Sequence, residues 1–262
     1  MVIDFHTHIF PDALAGKVLP KLSDASGIIP HTDGTFNGTV NKFREWNIDG
    51  AVFLNIATTP KQQNTINNVA SEINKKKNFY AFGSVHPFAG DALSELDRIK
   101  SLGLKGIKLH PEYQDFYVDD PRVFSVYDKA RALDLCVVFH AGVDIGIAPP
   151  VHSTPDRFLS IIKNFPGLKV VAAHLGGFSS WDMVEYYLTG KDIYFDTSMT
   201  AGYLETDRMK RIVKRHGVDK ILFGSDCPWA SSKTAFDGVL SLGLSSSDND
   251  MIFGQNALNL LT

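Results

Sequence analysis

The sequence has few cysteines and no long apolar run. Its 262 residues include only Cys136 and Cys227, which are too few and too far apart to form the disulfide framework of a small secreted domain. The first residues lack the basic and apolar regions of a signal peptide, and no apolar stretch is long enough to cross a bilayer. These absences predict a cytoplasmic protein that has no membrane partner.

Neither sign of charge is in large excess. Lys and Arg number 26 and Asp and Glu number 29, which gives a formal net charge of -3. The densest basic run is the short segment 75–77, so the sequence offers no basic stripe for a phosphate backbone. The composition therefore argues against a nucleic-acid partner and leaves a small-molecule substrate as the expected partner. Whether the chain forms a homo-oligomer stays open.

Short apolar runs alternate with longer segments of helical period along the whole chain. The runs predict strands at residues 2–8, 50–56, 79–85, 106–110, 135–140, 169–174, 193–196 and 220–225. The intervening segments predict helices at residues 39–46, 62–75, 92–102, 122–133, 154–164, 183–189, 205–216 and 248–260. The strands are nearly continuous apolar runs, as expected for a parallel sheet that is covered on both faces.

This alternation predicts an α/β fold with parallel strands. A doubly wound open sheet would satisfy the same pattern, but eight units in about 250 residues favour a closed (β/α)8 TIM barrel. No linker or compositional break divides the chain, so we expect residues 1–262 to form one domain. Segment 9–38 is rich in Pro, Gly and Asp, and we expect it to be an extended loop over the barrel mouth.

Metal-binding side chains end several of the predicted strands. Five of the nine histidines do so, and one aspartate directly follows the eighth strand: His6, His8, His110, His140, His174 and Asp226. The carboxyl ends of barrel strands converge on one mouth, where active sites of this fold lie. Any one of these histidines could be a hydrogen-bonded core residue, but the group predicts a transition-metal site.

Five motifs carry a family resemblance. They are DFHTH (4–8), GIKLHP (106–111), VFHAG (138–142), AHLGG (173–177) and FGSDCP (223–228). Together they resemble the amidohydrolase superfamily, most closely its branch that includes aminocarboxymuconate semialdehyde decarboxylase and many predicted metal-dependent hydrolases. The resemblance covers almost the whole chain, and the ordered set is specific although His-x-His alone is not.

The resemblance implies a divalent metal ion held by His6, His8, His140 and Asp226. It places His174 beside a metal-bound water as an acid, base or electrostatic group, and it gives Asp226 a second role as a proton acceptor. Both His174 and Asp226 are therefore candidate catalytic residues. Imidazole and carboxylate donors suit zinc, which we favour, as well as manganese or iron.

Lys108 and His110 are candidate pocket or second-metal residues, because both are expected on the inward face of the fourth strand. Some members of the superfamily carboxylate a lysine here to bridge two ions, in which case His174 would bind the second ion. Alternatively Lys108 pairs with Asp4 or Asp226, or contacts an anionic substrate. We favour one ion. Asp196 either supports a metal ligand or only caps its strand.

The expected function is a metal-dependent hydrolase that uses metal-activated water on an amide, lactone or ester of a small organic substrate. The alternative is a metal-dependent, non-oxidative decarboxylase that acts on a small carboxylic acid. A third hypothesis is a non-catalytic metal-binding scaffold, which predicts a coordinatively closed ion. Fold and donor set do not decide among these reactions.

Overall fold

Eight short parallel strands form the centre of the computed structural model, which describes residues 1–262. The strands are β1 (Ile3–Thr7), β2 (Gly50–Leu54), β3 (Phe79–Phe82), β4 (Gly106–Leu109), β5 (Cys136–Phe139), β6 (Val170–Ala172), β7 (Tyr194–Asp196) and β8 (Ile221–Leu222). They pair in chain order, β1 to β3 and β4 to β8. Parallel bridges from Gly83 to Ile107 and from Thr7 to Cys227 join these two sets. The sheet therefore closes on itself, and the predicted TIM barrel is confirmed.

Eleven α-helices surround or cap the strands. They are α1 (Asp12–Ser26), α2 (Phe36–Glu45), α3 (Gln63–Asn74), α4 (Ala92–Ser101), α5 (Phe124–Ala132), α6 (Pro155–Asn164), α7 (Trp181–Tyr187), α8 (Thr206–His216), α9 (Ser232–Leu240), α10 (Ser246–Asp250) and α11 (Asn256–Leu261). A π-helical turn, Met251–Gln255, connects α10 to α11. None of the helices combines the length and apolarity needed to cross a bilayer.

The prediction of an extended loop at 9–38 is wrong. This segment contains α1 and the start of α2. Gly16 and Pro20 lie inside α1, and of its residues only Ala15 and Leu19 are buried, so the usual helical pattern of apolar residues is weak here. The left-handed Gly27, at φ 70°, ends the helix and donates its N–H to the carbonyl of Ser23. Helix α9 is a second helix that the sequence pattern did not predict.

The barrel interior below the mouth is apolar. Alternate strand residues such as Val52 and Leu54 on β2, and Cys136 and Val138 on β5, pack in one buried cluster with side chains of α11. Residues of the opposite parity, including Val137 and Phe139, belong to the larger cluster that contains helix residues. Because side chains alternate between the two faces of a strand, the next position on the inner face of β5 is His140.

Candidate metal and active site

Three of the predicted metal ligands lie together at the carboxyl ends of β1 and β8. His6 Nε2 is 3.2 Å from His8 Nε2 and 3.2 Å from Asp226 Oδ1. His8 Nε2 is 3.0 Å from the same Asp226 oxygen. Donor atoms bound at 2.0–2.1 Å around a tetrahedral ion are separated by about 3.3 Å. The spacing of these three atoms therefore fits a divalent metal ion.

The outer nitrogens of His6 and His8 support this assignment. His6 Nδ1 is 2.8 Å from Asp196 Oδ2, and His8 Nδ1 is 2.7 Å from the carbonyl oxygen of Leu54. Both partners are acceptors, so each Nδ1 carries the proton and each Nε2 presents a lone pair. Two lone pairs that face each other across 3.2 Å repel unless a cation lies between them. The donor chemistry thus suits a metal ion.

His140 and His174 form a second pair in the same mouth. His140 Nδ1 is 3.1 Å from His174 Nε2, and the His174 ring stacks on His6 with centroids 5.2 Å apart. His174 Nδ1 is 2.8 Å from the hydroxyl oxygen of Ser198. His140 thus contacts the cluster through His174, whereas the first donor group consists of His6, His8 and Asp226.

Lys108 lies against this group from β4. Its Nζ is 3.3 Å from His6 Nε2, and its side chain is among the largest fully buried ones in the protein. Burial lowers the pKa of Lys108 to about 8, although the Asp196 and Asp226 carboxylates oppose this shift. The alternative in which Lys108 pairs with Asp4 is not seen, because Asp4 accepts hydrogen bonds from the hydroxyls of Ser225 at 2.5 Å and Ser232 at 2.6 Å.

Asp196 orients two of the imidazoles. Besides its contact with His6, it accepts hydrogen bonds from the backbone N–H of His174 at 3.0 Å and from the Ser198 hydroxyl. Burial alone would raise the pKa of Asp196, but the charge and hydrogen bond of His6 outweigh it and hold that pKa below its usual range. This arrangement matches the metal-supporting alternative for Asp196. Sequence reasoning missed Ser198, whose only signal is its position two residues after a strand-ending aspartate.

Asp226 remains ionised in this environment. Burial raises its pKa, but His6, His8 and His174 together outweigh that effect and lower the pKa of Asp226 to about 2. Burial lowers the pKa of His6 to about 4, with a further contribution from Lys108, and burial also lowers the pKa of His174. The site therefore combines a carboxylate with neutral imidazoles, which is the state that binds metal ions.

His110 lies on the far side of His140. The two rings stack with centroids 4.3 Å apart and planes 13° apart. His110 Nε2 is 3.2 Å from Asp144 Oδ2, an acidic partner that the sequence did not single out. Glu112 accepts hydrogen bonds from the backbone N–H of His152 at 2.9 Å and from the Ser153 hydroxyl at 3.2 Å. His110 and Asp144 both line the cavity described next.

The cluster opens into a cavity of about 1170 Å³. Ligand sites typically measure about 300–1,000 Å³, so this cavity is large enough for a small organic molecule. Aromatic side chains from three loops line it: Tyr113, Phe178 and Trp229. Helix α1 contributes Leu14, Val18 and Leu22 to the outer wall. Segment 9–38 therefore borders the barrel mouth as predicted, but this part of it is a helix and not an extended loop.

Comparison with known proteins places the chain in a family and gives the fold independent support. The amidohydrolase family model Amidohydro_2 matches residues 3–262. No curated protein sequence matches at a significant level. Among solved structures, 5-carboxyvanillate decarboxylase from Sphingomonas paucimobilis has a TM-score of 0.74 at 14% identity, with 99% of this chain and 98% of that chain covered.

Two further structures have similar values. A 2,6-dihydroxybenzoate decarboxylase from Rhizobium has a TM-score of 0.73 at 17% identity, with 99% of this chain and 97% of that chain covered. A dihydroxybenzoic acid decarboxylase from Polaromonas sp. JS666, with bound manganese and the inhibitor 2-nitroresorcinol, has a TM-score of 0.71 at 18% identity, with 99% and 96% covered. At these identities the likeness shows the fold alone.

These neighbours correct the expected reaction. We expected hydrolysis of an amide, lactone or ester, and that expectation is wrong, because most of the similar structures with a named activity are decarboxylases, although two carry an amidohydrolase name. The physical reason is that imidazole and carboxylate ligands around an open metal position serve either reaction. The donor set therefore predicted an enzyme of this family but not its chemistry.

Proposed function

The chain belongs to the amidohydrolase family, and from this premise we propose that it is a metal-dependent, non-oxidative decarboxylase of small carboxylic acids. The observation that carries the proposal is the buried Lys108, which can hold a substrate carboxylate and whose Nζ is 3.3 Å from His6 Nε2. It lies beside the donor group of His6, His8 and Asp226, whose atoms are 3.0–3.2 Å apart. The named reactions of similarly folded proteins support the same choice.

We propose that His6, His8, His140 and Asp226 hold one divalent ion. Zinc remains the metal favoured by the mixed donor set, and the manganese in the Polaromonas structure supports manganese as the second candidate. When bound, such an ion would act as a Lewis acid toward an oxygen of the substrate. The opening of the cluster onto a cavity argues against a closed, purely structural metal centre.

Lys108 would hold the substrate carboxylate. It is the buried cation nearest to the three clustered donors, with Nζ 3.3 Å from His6 Nε2. Burial lowers the pKa of Lys108 to about 8, while the carboxylates of Asp196 and Asp226 favour its charged form. A buried ammonium attracts a carboxylate more strongly than an exposed one does. Of the alternatives considered for Lys108, this role corresponds to contact with an anionic substrate.

His174 would deliver the proton, and Asp226 would support it. In the reaction the bond between the substrate carbon and its carboxylate breaks, carbon dioxide leaves, and the carbon gains one proton. The N–H of His174 is directed to Ser198, so the Nε2 lone pair can take up a proton from solvent water and deliver it to that carbon. Asp226 remains a carboxylate, because its pKa is about 2, and it can stabilise the imidazolium so formed.

Aromatic acids are the substrates to test first. Phe178 and Trp229 line the cavity together with Tyr113, and flat aromatic walls favour a flat ring. One similar structure was determined with 2,6-dihydroxybenzoate bound, which supports hydroxylated benzoates as the starting panel.

The test is a substrate panel in heavy water. Protein loaded with Zn²⁺ or Mn²⁺ is incubated with hydroxybenzoates, other small carboxylic acids, lactones and amides. We expect carbon dioxide and one deuterium on the product carbon in equal amounts, from at least one acid. The Asp226→Ala variant serves as the inactive control. Lactone or amide hydrolysis without release of carbon dioxide would refute the proposal.

A further inference from the structure

Three imidazoles in the mouth have a protein acceptor on their outer nitrogen. His6 faces Asp196 and His8 faces the Leu54 carbonyl. His174 faces Ser198, whose hydroxyl donates to Asp196, so the Ser198 oxygen accepts from His174 Nδ1. In each case the outer acceptor fixes the proton on Nδ1 and leaves Nε2 as the lone pair directed into the site.

His140 is oriented the other way round. Its Nδ1 faces the site, 3.1 Å from His174 Nε2, and its Nε2 is buried without a hydrogen-bond partner. For Nδ1 to present a lone pair to a metal ion, Nε2 must carry the proton. A buried N–H without an acceptor is destabilising. An acceptor for His140 is therefore required.

Glu112 provides an acceptor that also lacks a partner. Its Oε2 is buried and makes no hydrogen bond, and the side chain is 3% exposed. Ligand atoms of His110, Glu112 and His140 lie within 4.8 Å of one another. The other oxygen of Glu112 is held by His152 N–H and the Ser153 hydroxyl. Glu112 is thus fixed beside His140 with one free oxygen.

His110 does not satisfy this oxygen. Its Nδ1 accepts from the backbone N–H of Tyr113 at 3.4 Å and its Nε2 faces the Asp144 carboxylate, so the proton of His110 lies on Nε2. The Nδ1 that is 3.6 Å from Glu112 Oε2 is therefore not a donor. A second metal ion shared by His110 and His140 is also excluded, because in-plane lone pairs of rings stacked at 13° cannot converge on one point.

We infer that Glu112 is the positioning residue of His140: its Oε2 accepts the Nε2–H of His140 and so keeps Nδ1 free as a metal ligand. Ligand atoms of Glu112 and His140 lie within 4.8 Å of each other, a distance that a rotation of the carboxylate or one bridging water spans. The inference rests on the metal-ligand role proposed above for His140. It gives His140, like His6, His8 and His174, an outer acceptor.

The test uses Glu112→Gln, which retains an oxygen for His152 and Ser153 but turns an NH2 group toward His140. Proton and nitrogen-15 NMR of histidine-labelled, Zn²⁺-loaded protein detects the Nε2–H of His140, with His140→Ala to assign the signal. We expect this proton to resonate downfield in the unsubstituted protein, as in a hydrogen bond to a carboxylate, and to move upfield in the variant. Zn²⁺ affinity, measured by competition with a chelator, should fall about 10- to 100-fold.

Ser153→Ala is the matched control, because it removes a contact of Glu112 with its loop but leaves the free oxygen in place. It should retain the position of the Nε2–H signal and the Zn²⁺ affinity. An Nε2–H of His140 without a downfield shift in the Zn²⁺-loaded, unsubstituted protein would overturn the inference even if Glu112→Gln failed to fold. Equal loss of affinity in both variants, or none in Glu112→Gln, would also overturn it. If no acid is decarboxylated but the Nε2–H signal and the Zn²⁺ affinity change as expected, the inference stands and the proposed function fails.

Discussion

The two halves of the barrel interior contrast along a single strand. On the inner face of β5, Cys136 and Val138 pack with α11, whereas His140, two residues further, faces His174 in the mouth. All three positions are buried. Burial therefore does not distinguish the two halves; the chemistry of the buried atoms does. Two residues along the inner face of the strand separate Val138, which stabilises the fold, from His140, which belongs to the site.

The energetic consequences of burial are opposite in the two halves. Below the mouth, each apolar side chain contributes about 1.5–3 kcal/mol when it leaves water. In the mouth, burial disfavours charge, which lowers the pKa of His6 to about 4 and that of Lys108 to about 8. Hydrogen bonds to Asp196, Ser198 and the Leu54 carbonyl offset part of this cost. Substitutions in the mouth should therefore change function more than stability.

The largest effect should come from removing a metal ligand. Asp226→Ala or His140→Ala should abolish bound metal and reduce decarboxylation about 1,000-fold or more, because the remaining donors cannot hold the ion. Metal analysis and carbon dioxide release check this, and circular dichroism should show an intact barrel. A variant that retained stoichiometric metal and full turnover would show that the ligand assignment is wrong.

A smaller loss should follow from His174→Ala. This substitution removes the proposed proton carrier but leaves all four proposed ligands in place (His6, His8, His140 and Asp226), so metal content should stay near that of the unsubstituted protein. The rate should fall about 100- to 1,000-fold, within the range for general acid–base groups. Rate and metal content are measured on the same sample. If the variant lost the metal ion as well as activity, His174 would be a metal ligand and not the proton carrier.

The lower half should show the reverse pattern. Leu260 of α11 is 5% exposed in the apolar cluster, and Leu260→Ala should reduce the free energy of unfolding by about 2–5 kcal/mol. Bound metal should be unchanged in the folded variant. Leu93→Ala, at a position that is 42% exposed, is the control and should change stability little. Urea unfolding and metal analysis of both variants test whether the halves are separable.

The sequence predicted the strands and the polar positions of the mouth well, because strand period and barrel topology place residues without knowledge of rotamers. It did not predict α1, where Gly16 and Pro20 interrupt the helical pattern. Nor could it show that His140 turns Nδ1 inward while His6 and His8 turn Nε2 inward. Ring orientation depends on acceptors from distant segments, such as Asp196 and Leu54. Reaction type was mispredicted because one donor set serves several reactions.

His216 offers the finest comparison, because it is a buried histidine outside the mouth. Its Nε2 donates to the Ile193 carbonyl at 2.8 Å and its Nδ1 accepts from Gly190 N–H at 3.2 Å, so a second ring proton would face another N–H. Burial lowers the pKa of His216 from 6.5 to about 4. The unfolded chain therefore binds this proton first, and stability that is present above pH 6.5 is lost as the pH falls toward 4.

In His216→Gln the amide can keep both hydrogen bonds and has no proton to gain. The drop in unfolding free energy between pH 7 and pH 5, measured by urea titration, should therefore be smaller by about 2 kcal/mol in the variant. His31→Gln, at an exposed histidine, should leave the drop unchanged. Equal drops in the unsubstituted protein and His216→Gln would assign the acid sensitivity to the mouth histidines. A smaller drop in unfolding free energy in His216→Gln would show that burial lowers the pKa of this structural histidine as it does for the histidines of the mouth, although His216 has no part in the site.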